Sequence, residues 1–296
     1  MSVRDVDIGG KGCIPIRNFK LEYMEKNPAI VMIAKRRSGK SWVTRSILKH
    51  FRHIPVGIVI APTDRMNRFY GDFFPDLYIY YQYRTEIIQK LLRRQEDMIE
   101  KNKEKILLKK RIDPRAFIVM DDCLSDKKSW MKDQPISELL FNGRHYEIMY
   151  ILTMQFALGI TPDMRNQFDY VFLLKEDKFT NLKRIYDHYA GMFPTFDSFR
   201  QVFAQLTEEH GCMVVTTNEV VDKKKPKVKV PSFLNQIFWY KAENEDVGGI
   251  GCQQFQDCNR LNYDDNWKKR LRELDVNAYI MQKKKDKTSV KIDKKK

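Results

Sequence analysis

The stretch AIVMIAKRRSGKS, residues 29–41, decides the fold. An apolar run from Ala29 to Ala34 gives way to a short basic turn, after which Trp42, Val43, Ile47 and Leu48 recur at helical spacing. An unbroken apolar run of this length fits a strand covered on both faces, and the change to a helical period marks strand, tight loop and helix in succession. In that context Ser38-Gly39-Lys40-Ser41 reads as a phosphate loop. Backbone N–H groups at the helix N-terminus would wrap phosphate oxygens, Lys40 would reach the β and γ oxygens of ATP, and the Ser41 hydroxyl would join the shell of Mg2+. The nucleotide-binding segment is therefore Ala34, Lys35, Arg36, Arg37, Ser38, Gly39, Lys40 and Ser41. The strict pattern places glycine at the first of these positions. Alanine is tolerable there if its φ is negative. The competing reading, a basic surface turn, is disfavoured by the strand before it and the helix after it.

Outward from this loop, short apolar runs recur: VGIVIA (56–61), FIVM (117–120), IMYILTM (148–154), YVFLL (170–174) and CMVVTT (212–217). The segments between them are long enough for crossover helices, so the pattern predicts an α/β fold with a mostly parallel central sheet flanked by helices. IFWY (237–240) reads as a last edge strand, and everything after Glu243 as loop and tail. Residues 84–111 lack Gly and Pro and space Ile87, Leu91, Ile99 and Leu107 at loose helical intervals, which predicts a long exposed helix with solvated, interleaved charges. Neither a fixed repeat nor a Gly/Ser linker divides the chain. The expected organisation is an N-terminal extension (1–26), a P-loop ATPase domain (27–242) and a basic C-terminal tail (243–296).

Composition bounds the partners. With 296 residues and 43% hydrophobic content, the chain can bury a large core, which excludes disorder throughout. No run of 18 apolar residues and no apolar leader in MSVRDVDIGGKGCIP are present, so no membrane span and a cytosolic location are expected. The five cysteines are scattered, and Cys252 and Cys258 lack the spacing to each other and to His188 or His210 that a zinc site needs. Reduced thiols and no structural metal follow. Net charge is +15, and residues 267–296 carry twelve Lys/Arg against four acids. Such a tail attracts a polyanion by counterion release, or serves as a solvated solubility tail.

A second motif separates the P-loop classes. RAFIVMDDC (115–123) is an apolar strand ending in two carboxylates, the Walker B arrangement: Asp121 orders the Mg2+ shell and Asp122 polarises the attacking water. An acid directly after the metal-site Asp favours the RecA/ASCE-like P-loop NTPases, in which an additional strand lies between the P-loop strand and the Walker B strand. IMYILTM takes that place by order. It ends at Thr153-Met154-Gln155, where Gln155 could hold the lytic water or sense loss of the γ-phosphate; a buried Gln bonded to backbone is the alternative. Arg144 and Arg165 flank this strand. Either could act across a subunit boundary as an arginine finger, and each alone could equally be a surface ion pair.

Together KRRSGKS, FIVMDDC, LLFNGRHYEIMYILTMQ, TPDMRNQFDYVFLL and IFWYKAE resemble the DNA-packaging ATPases of large nucleocytoplasmic DNA viruses, the vaccinia-type branch of the FtsK-HerA motor superfamily. The resemblance spans residues 27–242 and is most specific in NGRHY and MRNQFDYVFLL. It implies an ATP-driven homo-oligomeric ring that moves double-stranded DNA, without reading its sequence, into a preformed capsid. Capsid or vertex proteins would be partners, at assembly sites in the host cytoplasm and in the virion. By the same resemblance Lys40 and Ser41 match the Walker A lysine and hydroxyl, Asp121 and Asp122 the Walker B pair, and Gln155 the sensor. Arg144 is the first choice for the finger and Arg165 the second. Two departures are Ala34 for the first glycine and Asp122 where related motors often carry Glu. A P-loop nucleotide kinase and a non-hydrolysing ATP-binding assembly module are the other functions weighed. Arg65 to Arg68 and Lys223 to Lys229 are candidates for gripping DNA.

Overall fold

Short Val- and Ile-rich runs pair side by side into one ten-stranded sheet. The computed structural model describes residues 3–7, 12–123, 130–217, 235–243 and 246–266. Within these, the strands are β1 (Val3–Asp7), β2 (Cys13–Asn18), β3 (Ala29–Ile33), β4 (Val56–Ile60), β5 (Ile79–Tyr80), β6 (Ala116–Asp121), β7 (Ile148–Met154), β8 (Tyr170–Leu174), β9 (Cys212–Thr216) and β10 (Ile237–Tyr240). Their order across the sheet is β1-β2-β10-β9-β8-β3-β7-β6-β4-β5. From β5 to β8 every pairing is parallel, whereas β9 runs antiparallel to β8 and to β10. The α/β architecture with a mostly parallel sheet is thus the observed one, and β7 lies between the phosphate-loop strand β3 and the carboxylate strand β6.

The helices are α1 (Lys40–His50), α2 (Asp64–Asn67), α3 (Thr85–Leu107), α4 (Gln134–Asn142), α5 (Pro162–Arg165), α6 (Phe179–Tyr189), α7 (Phe196–Leu206) and α8 (Gln253–Asn262). Alternate residues of a strand point to opposite faces. In β6, Ala116, Ile118 and Met120 join the core that includes Ile88 and Leu91 of α3, Leu139 of α4 and Phe199 of α7. Phe117 and Val119 join the other core, with Val43, Ile47 and Leu48 of α1 and Phe255 of α8. Two covered faces explain why the central strands are apolar over most of their length.

Several sequence expectations change. IFWY is an internal strand: β10 sits between β2 and β9, and Ile237 and Phe238 are fully buried. The segment expected to be an N-terminal extension supplies β1 and β2, which bury Val6 and Ile16 but alternate with polar residues. Such half-covered strands make no continuous apolar run, so a search for runs passes over them. The segment expected to be loop and tail contains α8, whose only buried residue is Phe255, stacked on Tyr78 with ring centroids 4.2 Å apart. One anchoring ring leaves no periodic stripe to read. Helix α3 forms as expected, but its proximal half is exposed on one face only. Ile88, Leu91, Leu92 and Gln95 make its buried face, and Gln95 Nε2 donates to the carbonyls of Pro114 (2.9 Å) and Tyr146 (2.8 Å). The basic runs 223–229 and 267–296 lie outside the described residues. No described helix is long and apolar enough to cross a membrane.

Candidate active site

In a parallel sheet the strand C-termini share one edge, and here the loops after β3, β6 and β7 meet there. The loop from Ala34 to Gly39 joins β3 to α1. Ala34 is buried, and its N–H donates to the Met154 carbonyl at 2.9 Å. Its φ is not among the positive ones, so alanine in place of glycine carries no backbone strain. The left-handed positions are instead Arg37 (φ 62°) and Gly39 (φ 99°). Backbone that turns through the left-handed region in this way lets successive N–H groups converge on an anion. A side chain at Gly39 would be strained by that φ, and its Cβ would stand 3.3 Å from the Cβ of His210, a tight contact. Ser38 Oγ donates to the Lys35 carbonyl at 2.7 Å and tightens the turn. Lys35 forms an ion pair with Asp177, which holds that carboxyl below the usual carboxylate range, while Arg36 and Arg37 are exposed.

Lys40 and Ser41 open α1, the lysine directed at the end of β6. Its Nζ lies 2.9 Å from Asp121 Oδ1 and 3.3 Å from Thr153 Oγ1. Asp121 and Thr153 are register partners across the β6–β7 pair. The Thr153 hydroxyl is fully buried, donates to Asp121 and accepts the Asp122 N–H at 3.1 Å. One hydroxyl on the central strand therefore joins the lysine, the first carboxylate and the backbone of the second. Asp122 follows with φ 54°, a left-handed conformation that Asp tolerates better than most residues. Both its carboxylate oxygens accept from Gln155 Nε2 at 2.7 Å. Lys40, Ser41, Asp122 and Gln155 line a cleft of about 420 Å³ together with the residues of the loop.

Two further groups stand behind Asp121. Burial pushes the Tyr70 phenol well up, and the neighbouring Asp121 carboxylate adds to the shift. Burial likewise raises the Asp64 carboxyl, opposed by hydrogen bonds from the backbone of Tyr70 and Gly71; Tyr70 N donates to Asp64 Oδ1 at 2.7 Å. For a metal, the Asp121 carboxylate and the Ser41 hydroxyl are hard oxygen donors of the kind magnesium takes beside water and phosphate oxygens. Among the described residues no three His, Cys, Asp or Glu side chains cluster as a ligand set. A cation here would complete its shell from phosphate oxygens and water, which suits magnesium.

Arg144 and Arg165 are not among the residues that line this cleft. Arg144 precedes β7, at the opposite edge of the sheet, and pairs with Asp169, whose other oxygen accepts the N–H of Ala29 at 2.9 Å. Ala29 and Ile33 are the two ends of β3, so Arg144 is separated from the phosphate loop by about 13 Å of strand. Arg165 closes α5, half-buried against the Tyr189 hydroxyl. Residues that precede a parallel strand lie at the far edge by construction, so Arg144 could enter such a cleft only from another chain.

Sequence reading gave no role to Thr153, Tyr70, Asp64 or His210. A hydroxyl inside an otherwise apolar strand was the available signal for Thr153. Asp64 opens the single-turn helix α2, and Tyr70 and His210 come from turns, whose approach is set by packing.

The chain resembles proteins of large DNA viruses. Uncharacterised protein L437 of Acanthamoeba polyphaga mimivirus is 45% identical over 282 residues, which is 94% of this chain and 95% of that one. Uncharacterised protein 075L of Invertebrate iridescent virus 6 is 33% identical over 243 residues, 81% of this chain and 88% of that one. Among solved structures, the genome packaging NTPase B204 from Sulfolobus turreted icosahedral virus 2, in complex with sulfate, aligns with a TM-score of 0.49 and 16% identity, covering 75% of this chain and 100% of that one. No protein-family model matches.

Proposed function

The chain belongs to a family of proteins of large nucleocytoplasmic DNA viruses, and from that premise we propose that it is an ATP hydrolase that drives double-stranded DNA into a preformed capsid. The observation that carries this reading is the network in which Thr153 ties Lys40, Asp121 and Asp122 together at the tips of adjacent strands, with Gln155 on the Asp122 carboxylate. The phosphate loop binds the triphosphate through its N–H groups, and Lys40 balances charge on the γ-phosphoryl group. Asp121 and Ser41 would hold magnesium, which would supply positive charge against the phosphates. Asp122 accepts the proton of the attacking water, and Gln155 fixes the carboxylate that does so.

In the same reading the active unit is a homo-oligomeric ring, and Arg144, or secondarily Arg165, enters the neighbour's cleft to stabilise transition-state charge. Basic surface holds the phosphodiester backbone without reading bases. Arg65 and the residues to Arg68 are one candidate grip, although Arg68 is engaged with Asp76 at 3.1 Å. The protein would work at cytoplasmic assembly sites against a capsid or vertex protein, and could travel in the virion. The test is ATP turnover with and without duplex DNA at low salt. Turnover should rise with duplex and vanish in Lys40→Ala; turnover indifferent to DNA would refute the translocase reading.

A further inference from the structure

Phosphate binding uses the loop backbone, Lys40 and Ser41, yet the cleft has two ring-bearing walls that this chemistry does not need. One is Trp42, directly after Ser41 on the first turn of α1. The residue is 45% exposed, whereas Trp130 is fully buried. Tryptophan is buried to a high degree on average, so a half-exposed indole at the mouth of a polar cleft calls for a reason. The Arg45 guanidinium lies over the indole, 6.0 Å from its centroid, and also over the ring of Phe73 at 5.5 Å.

The second wall is His210, from the connection between α7 and β9. Glu209 (φ 48°) and His210 (φ 65°) are consecutive left-handed residues, a conformation that non-glycine residues hold only when surrounding contacts impose it. Those contacts are present. Gly211 N donates to the Glu208 carbonyl at 2.8 Å, and Lys241 pairs with Glu209 at 3.0 Å. The result fixes the imidazole over the phosphate loop, its Nδ1 3.6 Å from the place a Gly39 Cβ would take. A flat apolar face and a polar ring thus border the phosphate loop within one cleft of about 420 Å³, a volume within the usual range for small-molecule sites.

We propose that Trp42 and His210 form a nucleobase subsite, the indole stacking on the aromatic base of the bound nucleoside triphosphate and the imidazole closing the cleft beside it. This rests on the nucleotide reading above and adds the part of the ligand that the phosphate motifs leave unassigned. Stacking of a base on an aromatic side chain, judged by alanine substitution, is strong enough to read as roughly a tenfold change in affinity.

The experiment compares equilibrium binding of ATP and of inorganic tripolyphosphate, each with magnesium, to the full chain by calorimetry. Wild type should bind ATP more tightly than tripolyphosphate. Trp42→Ala should weaken ATP about tenfold and tripolyphosphate by less than about twofold, and Trp42→Phe should recover most of the loss. His210→Ala should likewise weaken ATP selectively. Equal weakening of both ligands by Trp42→Ala, no effect on either, or a change confined to the oligomeric state in sedimentation would overturn the subsite. Failure of wild type to bind tripolyphosphate, or equal binding by Lys40→Ala, would overturn the phosphate-loop reading itself and the subsite with it.

Discussion

Thr153 is the residue on which the geometry of the site converges. Its hydroxyl has one proton to give and two lone pairs to receive, and all are used: it donates to Asp121 and accepts from Lys40 and from the Asp122 backbone. Valine has the same shape and none of this capacity. Thr153→Val should lower kcat by about tenfold to a hundredfold through misplacement of Lys40 and Asp122, with KM for ATP changed by less than about threefold. Thr153→Ser should keep most of the rate. Steady-state kinetics on both variants tests this, and a kcat unchanged in the valine variant would show that the network is only structural. Most residues that line the cleft stand in the two local patterns of the sequence, the 34–41 loop and the strand ending in two carboxylates. Thr153 was legible only as an oddity, since its meaning depends on which residue of β6 stands opposite.

Strand β4 shows how tightly the elements are fitted around the site. Gly57 is the register partner of Phe117, and a Cβ on it would come within 2.3–2.5 Å of three atoms of the Phe117 ring. That ring is fully buried and packs against Phe74 with centroids 5.6 Å apart, so it has little room to retreat. Gly57→Ala should cost about 1–3 kcal/mol in stability. A Phe117→Leu change in the same chain should recover part of that loss, so the two single-variant effects should not add in thermal denaturation. Strict additivity would mean that the strands separate instead of clashing. At this scale the inner parallel strands were readable from composition, whereas β1, β2 and α8 were not. The missed elements bury one residue each, Val6, Ile16 and Phe255, too few to make a pattern.

At the scale of the whole molecule, the cleft faces one edge of the parallel strands and Arg144 the other, where its guanidinium lies on Asp169. If Arg144 completes a neighbour's site, two defects in different chains should complement each other. Arg144→Ala and Asp122→Asn should each lose most ATP turnover, and a mixture of the two should regain a measurable fraction, since some interfaces then pair an intact arginine with an intact carboxylate. A mixture no more active than the average of its parts would remove the trans-acting role and leave Arg144 as a surface ion pair. The α/β class could be read from the chain alone, as could the 34–41 loop and the Asp121–Asp122 pair as candidates, because each depends on neighbours within about a dozen residues: an apolar run, a turn and a helical period. Only the tertiary structure decided that β7 carries the hydroxyl linking them, that β10 is internal, and that His210 closes over Gly39. Those relations join residues tens to hundreds of positions apart, and they are fixed by strand order and packing across the sheet, which no local period encodes.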